Sequence, residues 1–335
     1  MQAELLLLAA LAELDEGEGV ALTRLAKRLD TRVSLLMRSC TELSDARLGT
    51  ASGPAWVRLR CDEAGRWSAQ LTELGRAQLT PTTRPMQVRR ADGSAPLDQV
   101  AVEMPVALVF NGISHAVMMA TPADLEAFAL GFALSEGLLD ARSECYGIEL
   151  LHGPAGCEVR LEVATAAEMR LKERRRNLVG RTGCGLCGVD SLQQLDLAPT
   201  AITIPAWMAT LDPATVLRAV AQLPALQPLN ALTGAHHAAG WADPQGRLLA
   251  VMEDVGRHNA LDKLLGQRAL DKLPFDEGFV IISSRASYEL VRKCARLGVP
   301  ALAAISAPTS LAVDIAHRAG MQLYGFCRGE QATRY

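Results

Sequence analysis

GFVIISSRASYELVRKCARLGVPALAAISAPTSLAVDIAHRAGMQLYGF, residues 278–326, decides the architecture. "GFVIISS" is a short apolar run of the kind buried on both faces of a sheet, and "RASYELVRKCARLG" follows with helical spacing and a terminating glycine. "VPALAAIS" is a second buried strand, "APTSLAVDIAHRAG" a second helix and "MQLYGF" a third strand. The order β-α-β-α-β, with crossovers of helix length, predicts parallel pairing. Ligands of such sheets bind at the carboxyl ends of the strands, where helix amino termini offer free N–H groups to anions. Those ends are "SSRAS" (283–287), "SAPTS" (306–310) and "FCRGEQ" (326–331), rich in hydroxyls, small residues and arginine. Singly, Ser287 and Thr309 read as helix caps; three such ends together suit a phosphate-bearing ligand. No GxGxxG follows a strand and no GxxxxGK[ST] occurs, so neither a standard dinucleotide fold nor a phosphate-loop NTPase is indicated.

Upstream, "GAHHAAGWADPQGRLLAVMEDVGRHNALDKLLG" (234–266) reads as a hairpin closed by "DPQG" and then a helix. Glu253, Asp254, Arg257, His258 and Asn259 crowd the approach to that helix. Asp254 or Asn259 can cap it, while Arg257 and His258 suit an anionic ligand. His236 and His237 are adjacent on a strand and point to opposite faces, so a metal site there is not expected. Further upstream, residues 97–139 predict a hairpin about an Asn111-Gly112 turn and a helix opened by Thr121 and Pro122. Glu103 and Glu136 read as exposed or salt-bridged carboxylates.

"RTGCGLCGVDSL" (181–192) holds the one CxxC, Cys184 and Cys187. Structural zinc needs four ligands, and the other six cysteines are isolated. A thioredoxin-type pair opens a helix, whereas Gly183, Gly185 and Gly188 favour a loop. Dithiol chemistry and a mobile thiol arm both stay open. Lys172, Arg174, Arg175, Arg176 and Arg181 precede the pair, and nearby cations favour thiolate.

At 335 residues, two folding units are expected. "TPTTRP" (80–85) reads as a linker, giving domains 1–79 and 86–335. Residues 1–79 read as helices with Thr23 and Thr31 as caps and Leu22, Leu25, Leu29, Leu35 and Leu36 facing inward, then a hairpin. That order is like a winged helix-turn-helix, with Arg32, Ser34 and Arg38 on its second helix. Residues 1–85 balance eleven Lys/Arg against eleven Asp/Glu, so this module lacks the basic footprint expected of a DNA-binding domain and reads as a dimerisation or docking module ahead of a DNA-binding one; the whole chain, at −3, has no general electrostatic drive toward nucleic acid. The first residues lack a basic start and read as a helix, not a signal peptide; no apolar run spans a membrane, and the scattered cysteines suit a reducing cytoplasm.

The stretches "GRTGCGLCGVDSL", "VMEDVGRHNALDKLLG", "SSRASYELVRKCARLGVPALAAISAPTSLAV", "GFCRGEQATRY" and "TPADLEAFALGFALSEGLL" together resemble the formate dehydrogenase accessory sulfurtransferase (FdhD-type) family over residues 86–335. The resemblance implies an α/β fold, a cytidine deaminase-like three-layer main domain without that enzyme's zinc ligands and with a smaller α+β part, assembled as a homodimer. It implies a sulfurtransferase that takes sulfur from a cysteine desulfurase as a persulfide and passes it to the molybdenum bis(guanine dinucleotide) cofactor of formate dehydrogenase, that cofactor being bound as substrate and the chain holding no metal ion of its own. The family's CxxC falls on Cys184 and Cys187, its persulfide on Cys184, and its cofactor contacts on Phe326, Cys327, Arg328, Gly329, Glu330 and Gln331. Residues 1–85 lie outside the resemblance. Two other classes stay in view: a ligand-responsive regulator using residues 1–79 on DNA, and a cofactor carrier needing neither thiol.

Overall fold

A computed structural model of the chain describes residues 7, 8, 10–12, 14, 15, 19–48, 51–62, 64–72, 74, 75, 81–153, 155–176 and 201–335. The chain folds as two units, Met1–Pro81 and Thr82–Tyr335.

In the first unit, strand β1 (Val20–Ala21) leads into helices α1 (Leu22–Arg28) and α2 (Val33–Leu43), followed by β2 (Arg47–Leu48), β3 (Ala51–Ser52), β4 (Val57–Cys61) and β5 (Trp67–Leu71). The principal sheet has the order β1-β5-β4 and is antiparallel throughout. Leu22, Leu25, Leu36, Cys40, Val57, Ala69 and Leu71 form one core with Leu7, Leu8 and Leu11. Thr23 and Thr31 are not caps: Ala21 and Arg32 occupy the N-cap positions and neither side chain bonds a helix N–H, so packing rather than capping fixes where these helices start. Leu35 is 56% exposed instead of facing inward, because the buried stripe of α2 runs through Leu36, Cys40 and Leu43.

The second unit opens with a ribbon, β6 (Thr83–Gln87) paired with β7 (Leu97–Ala101). Residues 83–85 of the expected linker therefore belong to a strand. Pro85 is tolerated because a two-stranded ribbon consists only of edge strands. Next come β8 (Met104–Phe110) and β9 (Ile113–Ala120), joined at Asn111 (φ 46°) and Gly112 (φ 78°), as the two left-handed positions of a type I′ turn require. Helix α3 (Leu125–Ser135), β10 (Cys145–Gly153), β11 (Gly156–Val163) and α4 (Thr165–Arg176) complete a sheet ordered β10-β11-β8-β9. α3 starts later than expected: its N-cap is Asp124, and Thr121 is wholly buried and committed to another element.

The larger sheet follows α5 (Pro213–Gln222) and α6 (Pro228–Thr233). Its strands are β12 (His237–Ala242), β13 (Leu248–Asp254), β14 (Phe279–Ile282), β15 (Ala301–Ala304), β16 (Gln322–Arg328) and β17 (Gln331–Arg334), in the order β13-β12-β14-β15-β16-β17. β14, β15 and β16 are parallel, as their crossovers predict; the other pairs are antiparallel. Helices α7 (Arg257–Leu270), α8 (Tyr288–Arg296) and α9 (Ser310–Ala319) bury one face through Val280, Ile282, Leu302 and Leu323. α5 and its neighbours bury the other through Phe279, Ile281, Ala303 and Tyr324. Helices thus cover both faces.

α3 crosses α7 at two glycines. A Cβ on Gly131 would stand 1.8 Å from the Asp262 carbonyl oxygen, and one on Gly266 1.8 Å from that of Ala127, so the two backbones touch. Beneath the crossing, Lys293 Nζ donates to Asp262 Oδ1 and Oδ2 (2.8 and 2.6 Å) and to Ser135 Oγ (3.0 Å), and lies 3.1 Å from Glu136 Oε1. Arg292 completes the set, 2.6 Å from Glu136 Oε2. Burial opposes the charge of Lys293, but Asp262 and Glu136 outweigh it and hold the ammonium above the usual lysine range. Burial likewise opposes the Glu136 carboxylate, and Lys293 and Arg292 overcome it, bringing that carboxyl to about 2.

Candidate functional site

The carboxyl ends of β14, β15 and β16 form one continuous edge, because the backbone continues to pair beyond the strands. Ser306 N donates to Ser284 O (3.4 Å), Phe326 N to Ser306 O (3.1 Å) and Thr309 N to Ala286 O (3.0 Å). α7, α8 and α9 all begin at this edge, each bringing unsatisfied amino-terminal N–H groups and a positive dipole end. Thr309 is a cap, its hydroxyl accepting from Ala312 N. Ser287 occupies the N-cap of α8 but bonds no helix N–H.

A buried carboxylate fixes the start of α7. Asp254 Oδ1 accepts from Gly256 N (2.8 Å) and Asn259 Nδ2 (2.9 Å). Its Oδ2 accepts from Thr121 N (2.9 Å) and faces Lys263 Nζ at 2.7 Å. Lys263 also donates to Thr121 O (3.0 Å), while Thr121 Oγ1 accepts from Val255 N (3.1 Å). With every partner supplied, the charge pair can stay buried and hold the loop ahead of α7 rigidly. Arg257 and His258 are thereby set at the edge. Neither Asp254 nor Asn259 is the expected helix cap: Gly256 holds the N-cap position, and the Asp254 carboxylate instead ties down the loop ahead of the helix.

His258 Nε2 lies 3.9 Å from Glu289 Oε2, an ion-pair separation. The neighbouring His258 is the main reason that the Glu289 carboxyl is held down at about 2, against the effect of its burial. His237 Nδ1 is 3.5 Å from Ser283 Oγ; burial, then the charges of Arg257 and His258, lower its pKa, so the ring is a neutral donor and acceptor. His236 is turned away, its Nδ1 2.9 Å from Thr233 Oγ1. Glu253 accepts from Leu229 N and Asn230 N at the start of α6 and so serves the fold. Glu103 is exposed, and Glu136 belongs to the buried ion cluster. Among the described residues, no group of three or more His, Cys, Asp or Glu could hold a metal ion.

The β16–β17 hairpin closes the edge. Phe326 adopts a left-handed φ of 56° at an irregularity between Gly325 and Arg328, and Gly329 at 57° makes the turn. A Cβ on Gly325 would meet Pro308 Cδ at 2.7 Å, so this hairpin packs directly on the β15–α9 loop. Arg328, Gly329, Glu330 and Gln331 are exposed and Phe326 half-buried. Cys327 departs from the expected contact set: its side chain is wholly buried beneath the sheet, and burial pushes its thiol up to about 12. Main chain is what residue 327 can offer a ligand. Cys184, Cys187 and Arg181 lie outside the described residues.

Residues 101–335 match the FdhD/NarQ family. The chain belongs to that family. The sulfur carrier protein FdhD of Chromobacterium violaceum is 58% identical over 266 residues, covering 79% of this chain and 96% of the relative. That of Burkholderia mallei is 53% identical, with 72% and 91% covered, and that of Acinetobacter baylyi 49%, with 71% and 86%. A crystal structure of a candidate formate dehydrogenase accessory protein from Desulfotalea psychrophila superposes with a TM-score of 0.57 at 26% identity, covering 76% of this chain and 97% of that one. The FdhD/NarQ match includes both sheets and the whole edge of the second unit and leaves out the first unit. Sequence reasoning missed the Thr121–Asp254–Lys263 hub and the Asp262–Lys293 pair. A signal was present: Asp262 and Lys263 fall among the apolar residues of "NALDKLLG", where charge must be paired to be buried.

Proposed function

We propose that the chain is a sulfur carrier that receives sulfur as a persulfide on Cys184 from a cysteine desulfurase and passes it to a molybdenum bis(guanine dinucleotide) cofactor destined for formate dehydrogenase. The observation that carries this reading is the match, over nearly the full length of the relatives, to proteins named as sulfur carriers. The edge supports the ligand class: three helix amino termini converge there with Arg257, Arg285 and Arg328, a setting suited to the phosphates of a guanine dinucleotide.

In the loading step the Cys184 thiolate attacks the outer sulfur of the donor persulfide. The donor S–S bond breaks, a new one forms at Cys184, and the donor cysteine leaves as thiolate. In delivery, Cys187 has one of two roles: its thiolate attacks the Cys184 sulfur, closing a Cys184–Cys187 disulfide and expelling hydrosulfide toward the cofactor, or it only tunes Cys184. The rest of the reading is a homodimer working in the cytoplasm. Mass spectrometry after incubation with a desulfurase and free cysteine tests the carrier role. A gain of one sulfur on the Cys184 peptide is expected. Full activation of formate dehydrogenase by a Cys184→Ala, Cys187→Ala variant would refute it in favour of a cofactor carrier.

A further inference from the structure

The first unit lies outside the family match and takes no part in sulfur transfer as proposed. Its balanced charge conceals a division. Residues 1–21 hold five Asp/Glu and no Lys/Arg, whereas residues 22–66 hold nine Lys/Arg against five Asp/Glu. Six of these cations, Arg24, Arg32, Arg38, Arg58, Arg60 and Arg66, are exposed on α1, α2 and the β4–β5 hairpin or the residues that border them. Arg58 and Arg60, two apart on β4, share a face of the strand. Arg38 and Arg66 pair with Glu42 and Asp62, but these i,i+4 pairs are solvent-exposed (arginine side chains 79% and 81%), the kind that contributes little and can be exchanged for a phosphate.

The local architecture carries those charges on a recognisable frame. α1 and α2 are joined by a tight turn in which Asp30 takes a left-handed φ of 47°. Leu36, Cys40 and Leu43 anchor α2 in the core and leave Arg32, Ser34, Leu35 and Arg38 outward. α2 packs against β4, the first strand of the basic hairpin. The outward face thus combines arginines with exposed aliphatics, Val33 at 40% and Leu35 at 56%. Arginine reads guanine and aliphatic carbon reads the thymine methyl in a major groove, while hairpin arginines suit flanking phosphates. An A-form RNA groove does not admit a helix, and exposed arginines on two adjoining elements suit the phosphates of a duplex backbone.

We propose that residues 1–81 are a duplex-DNA-binding module of the helix-turn-helix type, α2 entering the major groove and the β4–β5 hairpin lying along the adjacent backbone. The test is fluorescence anisotropy of the full-length chain with a labelled duplex of about two helical turns, taken from the DNA flanking its own gene, across about 50 to 200 mM salt. Binding that weakens linearly in log–log salt is expected. Arg58→Glu with Arg60→Glu should flatten that slope by about 1.8, at about 0.9 per phosphate contact, and weaken binding by about tenfold or more. Arg32→Glu with Arg38→Glu, on the other element, should weaken it similarly, and serves alone if the first variant does not fold. No binding at the lowest salt, unchanged binding by folded charge-reversal variants, tighter binding of single-stranded RNA, or displacement of the duplex by excess GMP would each overturn the proposal. The last would place the nucleic acid on the second unit instead.

Discussion

Replacing Lys293 by methionine removes one ammonium from the floor of the second unit while nearly preserving its volume. The loss is readable from the geometry: two bonds to Asp262 at 2.8 and 2.6 Å and one to Ser135 at 3.0 Å vanish, and Asp262, whose side chain is 1% exposed, retains only the Ser135 hydroxyl at 2.7 Å. Arg292 still holds Glu136, so the uncompensated charge is confined to Asp262. Stranding a buried carboxylate in this way costs about 3–5 kcal/mol. In a unit of this size each kcal/mol moves the midpoint by about 2–4 °C, so a fall of about 10 °C is expected. Thermal and urea unfolding followed by far-UV circular dichroism, fitted for the second unit's transition, measures it. Adding Asp262→Asn removes the stranded charge and should restore more than half of the loss, since a pair deleted together leaves nothing unpaired. A single variant within about 1 kcal/mol of the parent, or a double variant no better than the single, would refute the assignment of this pair as a charge-compensated core element.

Three further outcomes are expected from the same fold. Gly131→Ala should cost about 3 kcal/mol or more in thermal unfolding, because its Cβ meets backbone on α7, whereas Gly112→Ala, with open space around it and φ 78°, should cost about 1 kcal/mol. Glu136 titrates at about 2 in the fold against 4.5 as its ordinary value, so its contribution is complete above about pH 4.5 and disappears as pH falls toward 2. That amounts to about 3 kcal/mol, visible as a falling urea midpoint that Glu136→Gln makes flatter. Arg257→Ala should weaken guanine nucleotide binding by about tenfold in calorimetry, the value of one charge-assisted hydrogen bond, and unchanged affinity would remove α7 from the ligand edge.

The legible parts of this fold were those whose local pattern and tertiary role agree. Residues 278–326 alternate continuous apolar runs with amphipathic helices closed by glycine, and a strand buried on both faces has no other way to be written. Asn111-Gly112 was legible because its turn type demands left-handed residues. Thr83–Gln87 was hidden: a two-stranded ribbon buries little, so "TRPMQ" carries no apolar alternation. Thr121 looked like a helix cap because a threonine before proline usually is one, yet its amide and hydroxyl are claimed by Asp254 and Val255, more than a hundred residues later. Leu35 looked inward because a contiguous leucine pair cannot reveal which member the core takes. At the edge, the meeting of the three strand ends was legible from the parallel crossovers, but the orientation of Cys327 was not: a bulge at Phe326 shifts the alternation that would otherwise have assigned its side.

The burial of Cys327 has a chemical corollary for a protein that handles reactive sulfur. A thiol pushed to about 12 is ionised in roughly one molecule in 10⁵ at neutral pH, which leaves it almost inert toward a persulfide. Cys157 is pushed to about 11, and Cys145 and Cys294 are raised by the same desolvation. Every described cysteine of the second unit is therefore a poor scavenger. Under the proposed chemistry, the fold guards its cargo by self-passivation: sulfur delivered at Cys184 finds no competing nucleophile among these residues, and selectivity among the thiols comes from solvent exclusion as much as from proximity.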